Sequence, residues 1–295
     1  MTFSPGVYMI TNVGSGTALQ LNSLPVQGWE TLEGVARLPQ LWHITPVDAS
    51  KTGDDAKYVA RNVSTNKCLD LSGGDPTNGT EVIGWDYHEA DNQHWYIKSP
   101  AFATYWRLQN AKTKTLLDLA KNAKANGVKV QGWEGNWNDG SLGRGWVMSP
   151  KSLSGRQIKT ILDQNPPLKN KTVIEYPDRT YLTLDKAFFE DIWAKSGLAN
   201  VKPRPPLFDA QAYEKVFKGL VISYANENIQ ADGFDILMGT ASCIEDVTHN
   251  ISSWSVTITG RTGLLDSHNI VFFNPQTGKA YDNLPKNLKV RSIVI

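Results

Sequence analysis

One arrangement of apolar and polar positions occurs three times in the first half of the chain. In each copy a Leu-x-Leu run is followed by a Gly-Trp pair and then by a triplet that ends in tryptophan, and each of these runs is predicted to form a strand. We expect the last strand of each copy to end at its tryptophan. The copies are Leu19-Gln20-Leu21, Gly28-Trp29 and Gln40-Leu41-Trp42; Leu69-Asp70-Leu71, Gly84-Trp85 and Gln93-His94-Trp95; and Leu117-Asp118-Leu119, Gly132-Trp133 and Arg144-Gly145-Trp146.

The copies follow one another at intervals of about 50 residues. A period of this size is typical of stacked or radially arranged units, none of which buries its apolar face alone. Threefold repetition also offers up to three copies of any site that is built on one unit. The pattern therefore favours a binding function over catalysis.

Short alternating runs lie between these landmarks. Residues 58–62 and 106–110 occupy the same position in two copies, and both alternate as half-buried strands do. Turn residues separate the runs, for example at Asn126-Gly127, as short antiparallel hairpins require. We therefore predict an all-β first domain over residues 1–150 that is closed by its own repetition.

The second half of the chain changes to a helical pattern. The predicted boundary lies near Pro150, and residues 151–295 are expected to form a separate α+β domain. Three helices and two strands are predicted there: helices after Ser154 (a capping box with Gln157), after Asp185 and after Asp209, and strands at residues 254–258 and 269–273.

Composition and charge mainly exclude classes of function. The 295 residues include 30 basic and 29 acidic ones, and no basic run is present, which argues against electrostatic binding to nucleic acid or anionic membranes. No apolar stretch is long enough to span a membrane, and the start lacks the profile of a signal peptide, so a cytoplasmic location is expected. Cys68 and Cys243 follow no metal-ligand spacing and are predicted to be free, buried thiols.

The ordered triple repeat resembles that of the ricin B-type β-trefoil lectins, and the resemblance covers the whole first half. It implies a β-trefoil in which Trp42, Trp95 and Trp146 belong to the core. It also implies one sugar site per copy, made of the Leu-Asp-Leu carboxylate, the Gly-Trp ring and the polar residue before the final triplet. These types suit a saccharide, because its hydroxyls donate to a carboxylate and its C–H patch packs on an indole.

In the second copy the resemblance implies a complete carbohydrate-binding site. Asp70 supplies the carboxylate, Trp85 the ring and Asn92 the amide, with Gln93 behind them. The site is expected to accept galactose- or N-acetylgalactosamine-type glycans of glycoproteins or glycolipids, since that is the specificity the family resemblance implies.

The other two copies depart from this pattern. The third retains Asp118 and Trp133, but Gly143 and Arg144 stand where the amide and the glutamine belong, so its site is expected to be weakened. In the first copy Gln20 replaces the aspartate and a proline precedes the final triplet, so no site is expected there.

The residues alone leave simpler interpretations open. The aspartates of the second and third copies are also suited to capping turns, and the tryptophans of the Gly-Trp pairs are also suited to the core. His88 and His94, near the second site, are predicted to be solvated or packing residues rather than ligands.

Five runs in the second half carry a further resemblance: Thr180-Tyr181-Leu182-Thr183-Leu184, Ile192-Trp193-Ala194-Lys195-Ser196-Gly197-Leu198, Phe208-Asp209, Gly233-Phe234 and Phe272-Phe273-Asn274-Pro275-Gln276. Their order and spacing resemble the second domain of fungal chimerolectins similar to the fairy-ring mushroom agglutinin. In that family a ricin B-type trefoil is joined to a papain-like cysteine peptidase domain that also dimerises. The resemblance implies a papain-like α+β domain and a homodimer.

The chemistry of such a peptidase needs a thiolate at a helix N-terminus beside an oriented histidine base. The resemblance places Ala210 at the nucleophile position, His249 or Asn250 at the histidine position and Asn274 at the acid position. Ala210 is either the natural residue or an engineered replacement of a cysteine, and the accompanying losses favour the first. We therefore predict a catalytically inactive pseudo-protease.

Calcium activation is a property of relatives that this chain is not expected to share. Gln211 and Ala212 replace two acids that serve calcium binding in the family, so no cofactor and no metal site are predicted.

The favoured prediction is thus a homodimeric agglutinin that is not an enzyme. The alternative is an active calcium-dependent cysteine-type hydrolase that the lectin domain delivers to cells. A pore-forming second domain is a weaker third hypothesis, because no long amphipathic hairpin is present.

Overall fold

The computed structural model describes residues 3–51, 53–245, 250–259 and 269–295. Contacts within the chain divide it into two compact units. The first unit consists of Met1–Leu32, Ala36–Pro150 and Ile229–Asp232, and the second of Glu33–Val35, Lys151–Asn228 and Gly233–Ile295.

The first unit repeats a four-stranded motif three times, and we call the copies the first, second and third lobes. The first lobe contains β1 (Gly6–Asn12), β2 (Ala18–Gln20), β3 (Gln27–Trp29) and β4 (Leu41–Pro46). The second contains β5 (Lys57–Asn62), β6 (Cys68–Leu71), β7 (Thr80–Trp85) and β8 (Trp95–Lys98). The third contains β9 (Arg107–Asn110), β10 (Leu116–Leu119), β11 (Val128–Trp133) and β12 (Trp146–Pro150).

Six of these strands form a closed barrel. They are antiparallel neighbours in the order β12-β1-β4-β5-β8-β9, and a bridge between Trp106 and Trp146 closes the ring. The inner strands of each lobe pair as hairpins, and β11 joins the hairpins through β3 and β7. The predicted β-trefoil is confirmed.

The tryptophans of the three final triplets lie in the core that all three lobes share. Trp42, Trp95 and Trp146 are buried in one cluster with the Leu-x-Leu leucines. The indole Nε1 of each donates a hydrogen bond to the carbonyl oxygen of the first of those leucines, at 2.8, 2.9 and 3.0 Å. Their predicted core role is confirmed.

The expectation that each copy's last strand ends at its tryptophan is wrong. The strands β8 and β12 begin at Trp95 and Trp146, and the glutamine or arginine before them belongs to a short 3-10 turn. An aromatic residue is favourable anywhere in a strand, so the pattern did not reveal which end it occupies.

Three buried asparagines, which the sequence analysis did not single out, connect neighbouring lobes. Each Oδ1 accepts hydrogen bonds from the amides of the following turn. Each Nδ2 donates at 2.8 Å to the carbonyl of the residue before another lobe's final triplet: Asn12 to Gly143, Asn62 to Pro39 and Asn110 to Asn92. The asparagines therefore fix the backbone on which the predicted sugar sites are built.

The second unit combines helices and strands, as predicted. Its helices are α1 (Gly155–Gln164), α2 (Lys186–Lys195) and α3 (Ala210–Asn228). Its strands are β13 (Ser152–Ser154), β14 (Thr172–Val173), β15 (Thr180–Leu182), β16 (Asp235–Ile236), β17 (Gly239–Glu245), β18 (Ile251–Thr259), β19 (Asn269–Asn274), β20 (Lys279–Tyr281) and β21 (Leu288–Val294). They form a sheet β13-β15-β16 and a sheet β14-β21-β17-β18-β19-β20.

Local signals set the helix ends of this unit. The Ser154 side chain accepts from the Gln157 amide and the Gln157 side chain accepts in return, so the predicted capping box is confirmed. Asp185 caps α2 by accepting from the amide of Phe188 at 2.9 Å. Helix α3 packs on the larger sheet, where the ring of Phe217 stacks on that of Phe273. None of the helices in the described part of the chain is long and apolar enough to cross a membrane.

Candidate sugar-binding site

The hairpin β6–β7 brings the two main residues of the predicted second-lobe site to one face. Asp70 lies opposite Ile83, and Trp85 lies opposite Cys68 two positions further along the strands. Residues opposite one another, and residues two apart on one strand, point to the same side of a sheet. Asp70 and Trp85 are therefore diagonal neighbours, while the flanking leucines face the core.

The two residues differ sharply in burial. Trp85 is 51% exposed, which excludes the core interpretation for this tryptophan. Asp70 is only 2% exposed, and its Oδ1 accepts a hydrogen bond from Nδ2 of Asn92 at 2.9 Å. A solvent-exposed indole and a buried carboxylate thus lie side by side on the same face of the hairpin.

The two amides of this lobe have different roles. Asn92 is buried and also lies with Nδ2 3.3 Å from the carbonyl oxygen of Leu71, so it orients the carboxylate. Gln93 is fully buried, donates to the Asp86 carbonyl at 2.8 Å and accepts from the His88 amide at 2.9 Å. Gln93 therefore holds the loop that follows Trp85.

The structure gives His88 a place that the sequence analysis missed. Its Nε2 lies 3.4 Å from Oδ2 of Asp70, and its side chain is 43% exposed. The imidazole therefore lies at the mouth of the site, and its sequence position three residues after Trp85 is the only signal of this. His94 is buried between Asp91 and Tyr87, so its predicted packing role is confirmed.

Burial dominates the electrostatics of the carboxylate. Desolvation raises the pKa of Asp70 above its usual range, although hydrogen bonds from Gln93, Asn92 and His88 oppose this effect. A carboxylate with few water molecules around it is a strong acceptor for hydroxyl donors.

In the first lobe, two glutamine side chains occupy the position that corresponds to the second-lobe carboxylate. Gln20 stands in place of the aspartate, and its Oε1 accepts a hydrogen bond from Nε2 of Gln40 at 2.9 Å. Gln40 also bonds to the carbonyl of Glu30 and the amide of Leu32, as Gln93 does in the second lobe. The two amides satisfy each other, and the lobe has no carboxylate at this position.

In the third lobe the two hairpin strands pair in the same register, but the aspartate has different hydrogen-bond and ion-pair partners. Asp118 lies opposite Gln131, and Trp133 lies opposite Leu116, so the pair again shares one face. Trp133 is half-buried. The Asp118 carboxylate accepts from Nε2 of Gln131 at 3.0 Å and lies 3.5 Å from Nε of Arg144.

The structure describes the predicted peptidase positions of the second unit except His249. Ala210 is the first residue of α3, and the Asp209 carboxylate accepts from the next two amides, those of Gln211 and Ala212, at 3.0 Å. Asn274 ends β19 and accepts from the Gln276 amide at 2.9 Å. Asn250 directly precedes β18, and His249 lies outside the described residues.

Neither cysteine is placed for nucleophilic chemistry. Cys68 and Cys243 are free and buried, as predicted. Burial raises the pKa of the Cys68 thiol to about 11 and that of Cys243 to about 12, so both are protonated near neutral pH. Within the ranges that the structure describes, no three His, Cys, Asp or Glu side chains group as metal ligands do.

Two family models match the chain. The ricin-type β-trefoil lectin domain-like model matches residues 2–85 and again residues 38–133. The agglutinin C-terminal model matches residues 181–280.

Known structures and sequences agree with these matches. The Polyporus squamosus lectin, solved bound to the human-type influenza-binding epitope Neu5Acα2-6Galβ1-4GlcNAc, is 26% identical with a TM-score of 0.81 over 99% of both chains. A PSL1a–E64 complex is 27% identical with a TM-score of 0.79 over 99% of both chains. The main hemagglutinin component type C of Clostridium botulinum C phage is 38% identical over 69 residues, which span 23% of this chain and 23% of that relative.

Proposed function

We propose that this chain, which joins a ricin B-type lectin domain to an agglutinin C-terminal domain, binds galactose- or N-acetylgalactosamine-type glycans through its second lobe. The carbohydrate-binding class rests on the lectin and hemagglutinin relatives. The observation that carries the proposal for the site is the exposed Trp85 indole on the same face as the buried Asp70 carboxylate.

The chemistry of this lobe fits a saccharide. Two neighbouring hydroxyls donate to the charged oxygens of Asp70, which accept more strongly than neutral groups. The apolar C–H face of a galactose-like ring packs on the Trp85 indole and fixes the orientation of the sugar. Asn92 completes the polar side, and Gln93 keeps the loop in place without touching the ligand.

Asp118 and Trp133 were also predicted to bind carbohydrate, and this stays a prediction. Their shared face supports it, whereas the contact of Arg144 with the carboxylate argues for weaker binding.

Replacing Trp85 with alanine should lower galactoside affinity about tenfold. A sugar that covers roughly 60 Å² of indole gains about 1.5 kcal/mol at about 25 cal/mol per Å². The measurement is calorimetric titration with methyl galactoside and N-acetylgalactosamine. Trp29→Ala is the matched control, because Trp29 has the same position in the lobe whose site is filled, and it should bind normally.

Equal affinity of the Trp85→Ala variant and the wild type would remove the second lobe from the proposed site. A comparable loss in Trp29→Ala would instead place binding in the first lobe.

We further propose that the second domain is a papain-like pseudo-protease that forms the homodimer. Ala210 at the start of α3 and the Asp209 cap on the following amides support the loss of catalysis. If the second lobe alone binds sugar, one chain cannot cross-link two cells, and agglutination then requires at least two chains. Pairing also raises avidity by about 10²–10⁴-fold where glycans span the sites.

The 295-residue chain should leave casein intact with and without calcium, and it should sediment with twice the mass of one chain. The casein assay, with an active cysteine peptidase as positive control, checks the first expectation, and analytical ultracentrifugation checks the second. Cleavage that co-purifies with the protein would favour the calcium-dependent hydrolase. A monomer that still agglutinates red cells would require a second open site on one chain.

A further inference from the structure

The third lobe contains a buried network of alternating charges. Arg107, which is fully buried in β9, pairs with Asp139, and Asp139 also pairs with Arg144. Arg144 lies with its Nε 3.5 Å from Oδ1 of Asp118. The network therefore runs from the barrel to the carboxylate of the predicted third sugar site.

Three sequence differences from the second lobe build this network. Arg107 replaces an aliphatic residue, Val59, and Arg144 replaces the amide of Gln93. Gly135 stands where the second lobe has a tyrosine, and a Cβ at this position would lie 2.5 Å from both the Arg144 guanidinium and the carboxylate that it pairs with. The glycine thus leaves the room that the ion pair occupies.

The carboxylates of the two lobes are held differently. In the second lobe the group that reaches the second oxygen of Asp70 is His88, an exposed side chain that a ligand can displace at little cost. In the third lobe Gln131 holds one oxygen of Asp118, and Arg144 lies at the other. An arginine stays charged at every physiological pH, and this one is fixed by its pair with Asp139.

Displacing Arg144 would therefore disturb two ion pairs at once. It would leave Asp139 with Arg107 alone and would expose a guanidinium that is now mostly buried. Sugar hydroxyls are neutral donors and do not replace a charged one without loss.

We infer that Arg144 closes the third lobe to neutral saccharides by holding the Asp118 carboxylate in an internal ion pair. The inference rests on the proposed function of the second lobe. Arg144 thus acts through Asp118 and sets the number of open sites in each chain.

Arg144→Gln should open this lobe, because it restores the residue that the second lobe carries. In a background that carries both Asp70→Asn and Trp85→Ala, which weakens the second lobe far beyond tenfold, the change should restore methyl galactoside affinity to within about tenfold of the wild type. Arg144→Lys, which keeps the positive charge, is the matched control and should stay closed. Adding Trp133→Ala to the opened variant should lower the recovered affinity about tenfold, as the equivalent change does in the second lobe.

Arg144→Gln alone leaves the third lobe without the amide that Asn92 supplies in the second lobe. A second variant therefore combines Gly143→Asn with Arg144→Gln. A Cβ at position 143 would lie 3.2 Å from Oδ1 of Asp118 and 3.3 Å from the Leu119 carbonyl oxygen, the equivalents of the two acceptors that Asn92 uses, so these groups must shift by a few tenths of an ångström to admit the asparagine. All variants are measured in the whole 295-residue chain, with circular dichroism and urea unfolding as folding controls.

The outcomes separate this inference from the proposed function. Failure of both folded variants to regain binding, while the wild type binds the same galactoside, overturns the inference alone. Near-wild-type binding in the Asp70→Asn, Trp85→Ala background that falls on adding Trp133→Ala also overturns it, since the third lobe would then be open already. A wild type that binds no galactoside overturns the proposed function, and the inference falls with it.

Discussion

Replacing Asp70 with asparagine should lower galactoside affinity by about 30-fold or more. The change keeps the size of the side chain but replaces two charged acceptor oxygens by one neutral acceptor and one donor. Hydrogen bonds to charged groups contribute about 1.5–3 kcal/mol, against about 1 kcal/mol for neutral ones, so a loss of about 2 kcal/mol follows for two sugar hydroxyls. Calorimetric titration and red-cell agglutination measure this effect.

Asp118→Asn is the matched control for this change. It makes the same substitution at the equivalent position of the third lobe, where Nε of Arg144 lies 3.5 Å from Oδ1 of the carboxylate. It should cost stability, because it leaves the guanidinium with one partner fewer, but it should leave glycan binding unchanged. Equal losses in the two variants would mean that both lobes bind sugar, and no loss in either would exclude both carboxylates from the site.

The pH dependence of binding gives a second readout of the same carboxylate. Burial raises the pKa of Asp70, so this group takes up its proton at a higher pH than an exposed aspartate, which titrates near pH about 4. Acidification from neutral pH should therefore weaken binding before ordinary carboxyl groups titrate. His88 faces the same carboxylate, so the profile is measured in His88→Gln as well, where an acid limb that persists belongs to Asp70.

The trefoil was predictable because its determinants are local and repeated. The leucines on either side of Asp70 face the core, and the aspartate between them faces the surface. Alternation along one strand is enough to predict this. The repeat then places Trp85 on the neighbouring strand, and the observed register puts the two residues on one face.

Contacts between distant segments were not predictable in the same way. Apart from its position three residues after Trp85, nothing near His88 in the sequence indicates that its ring reaches Asp70, because the loop conformation depends on the amide of Gln93. Arg144 was identified as a departure from the repeat, but its pairing with Asp139 and the buried Arg107 depends on how three segments meet. A single sequence shows that a residue differs from its equivalents in the other copies of the repeat. It does not show which groups that residue contacts.

The second domain shows the same division between local and distant information. The N-caps Ser154 and Asp185 could be predicted from the sequence because a cap and its amide partner lie within three residues. The stacking of Phe217 on Phe273 joins segments that are far apart in the chain, and no local pattern predicts it.

Replacing Trp95 with alanine should destabilise the first domain by about 3–5 kcal/mol, the usual cost of removing a large buried aromatic side chain. Trp95 is 1% exposed and packs in the core that all three lobes share. Its Nε1 donates to the carbonyl oxygen of Leu69, which would be left without this donor. Because a domain of this kind is stable by only about 5–15 kcal/mol, the loss is a large share of the total. Urea unfolding followed by circular dichroism measures it.

The same substitution at Trp85 should change the free energy of unfolding by only about 0.5 kcal/mol, since half of that side chain is already exposed. Trp95→Phe keeps most of the ring volume and remains measurable if the alanine variant does not accumulate; it should lie between the two. The tryptophans of one lobe thus separate stability from binding, because Trp95→Phe should bind galactoside normally while Trp85→Ala should not. A cost below about 1 kcal/mol for Trp95→Ala would contradict a core that the three lobes build together, since such a core has no way to compensate for the loss of one of its three indoles.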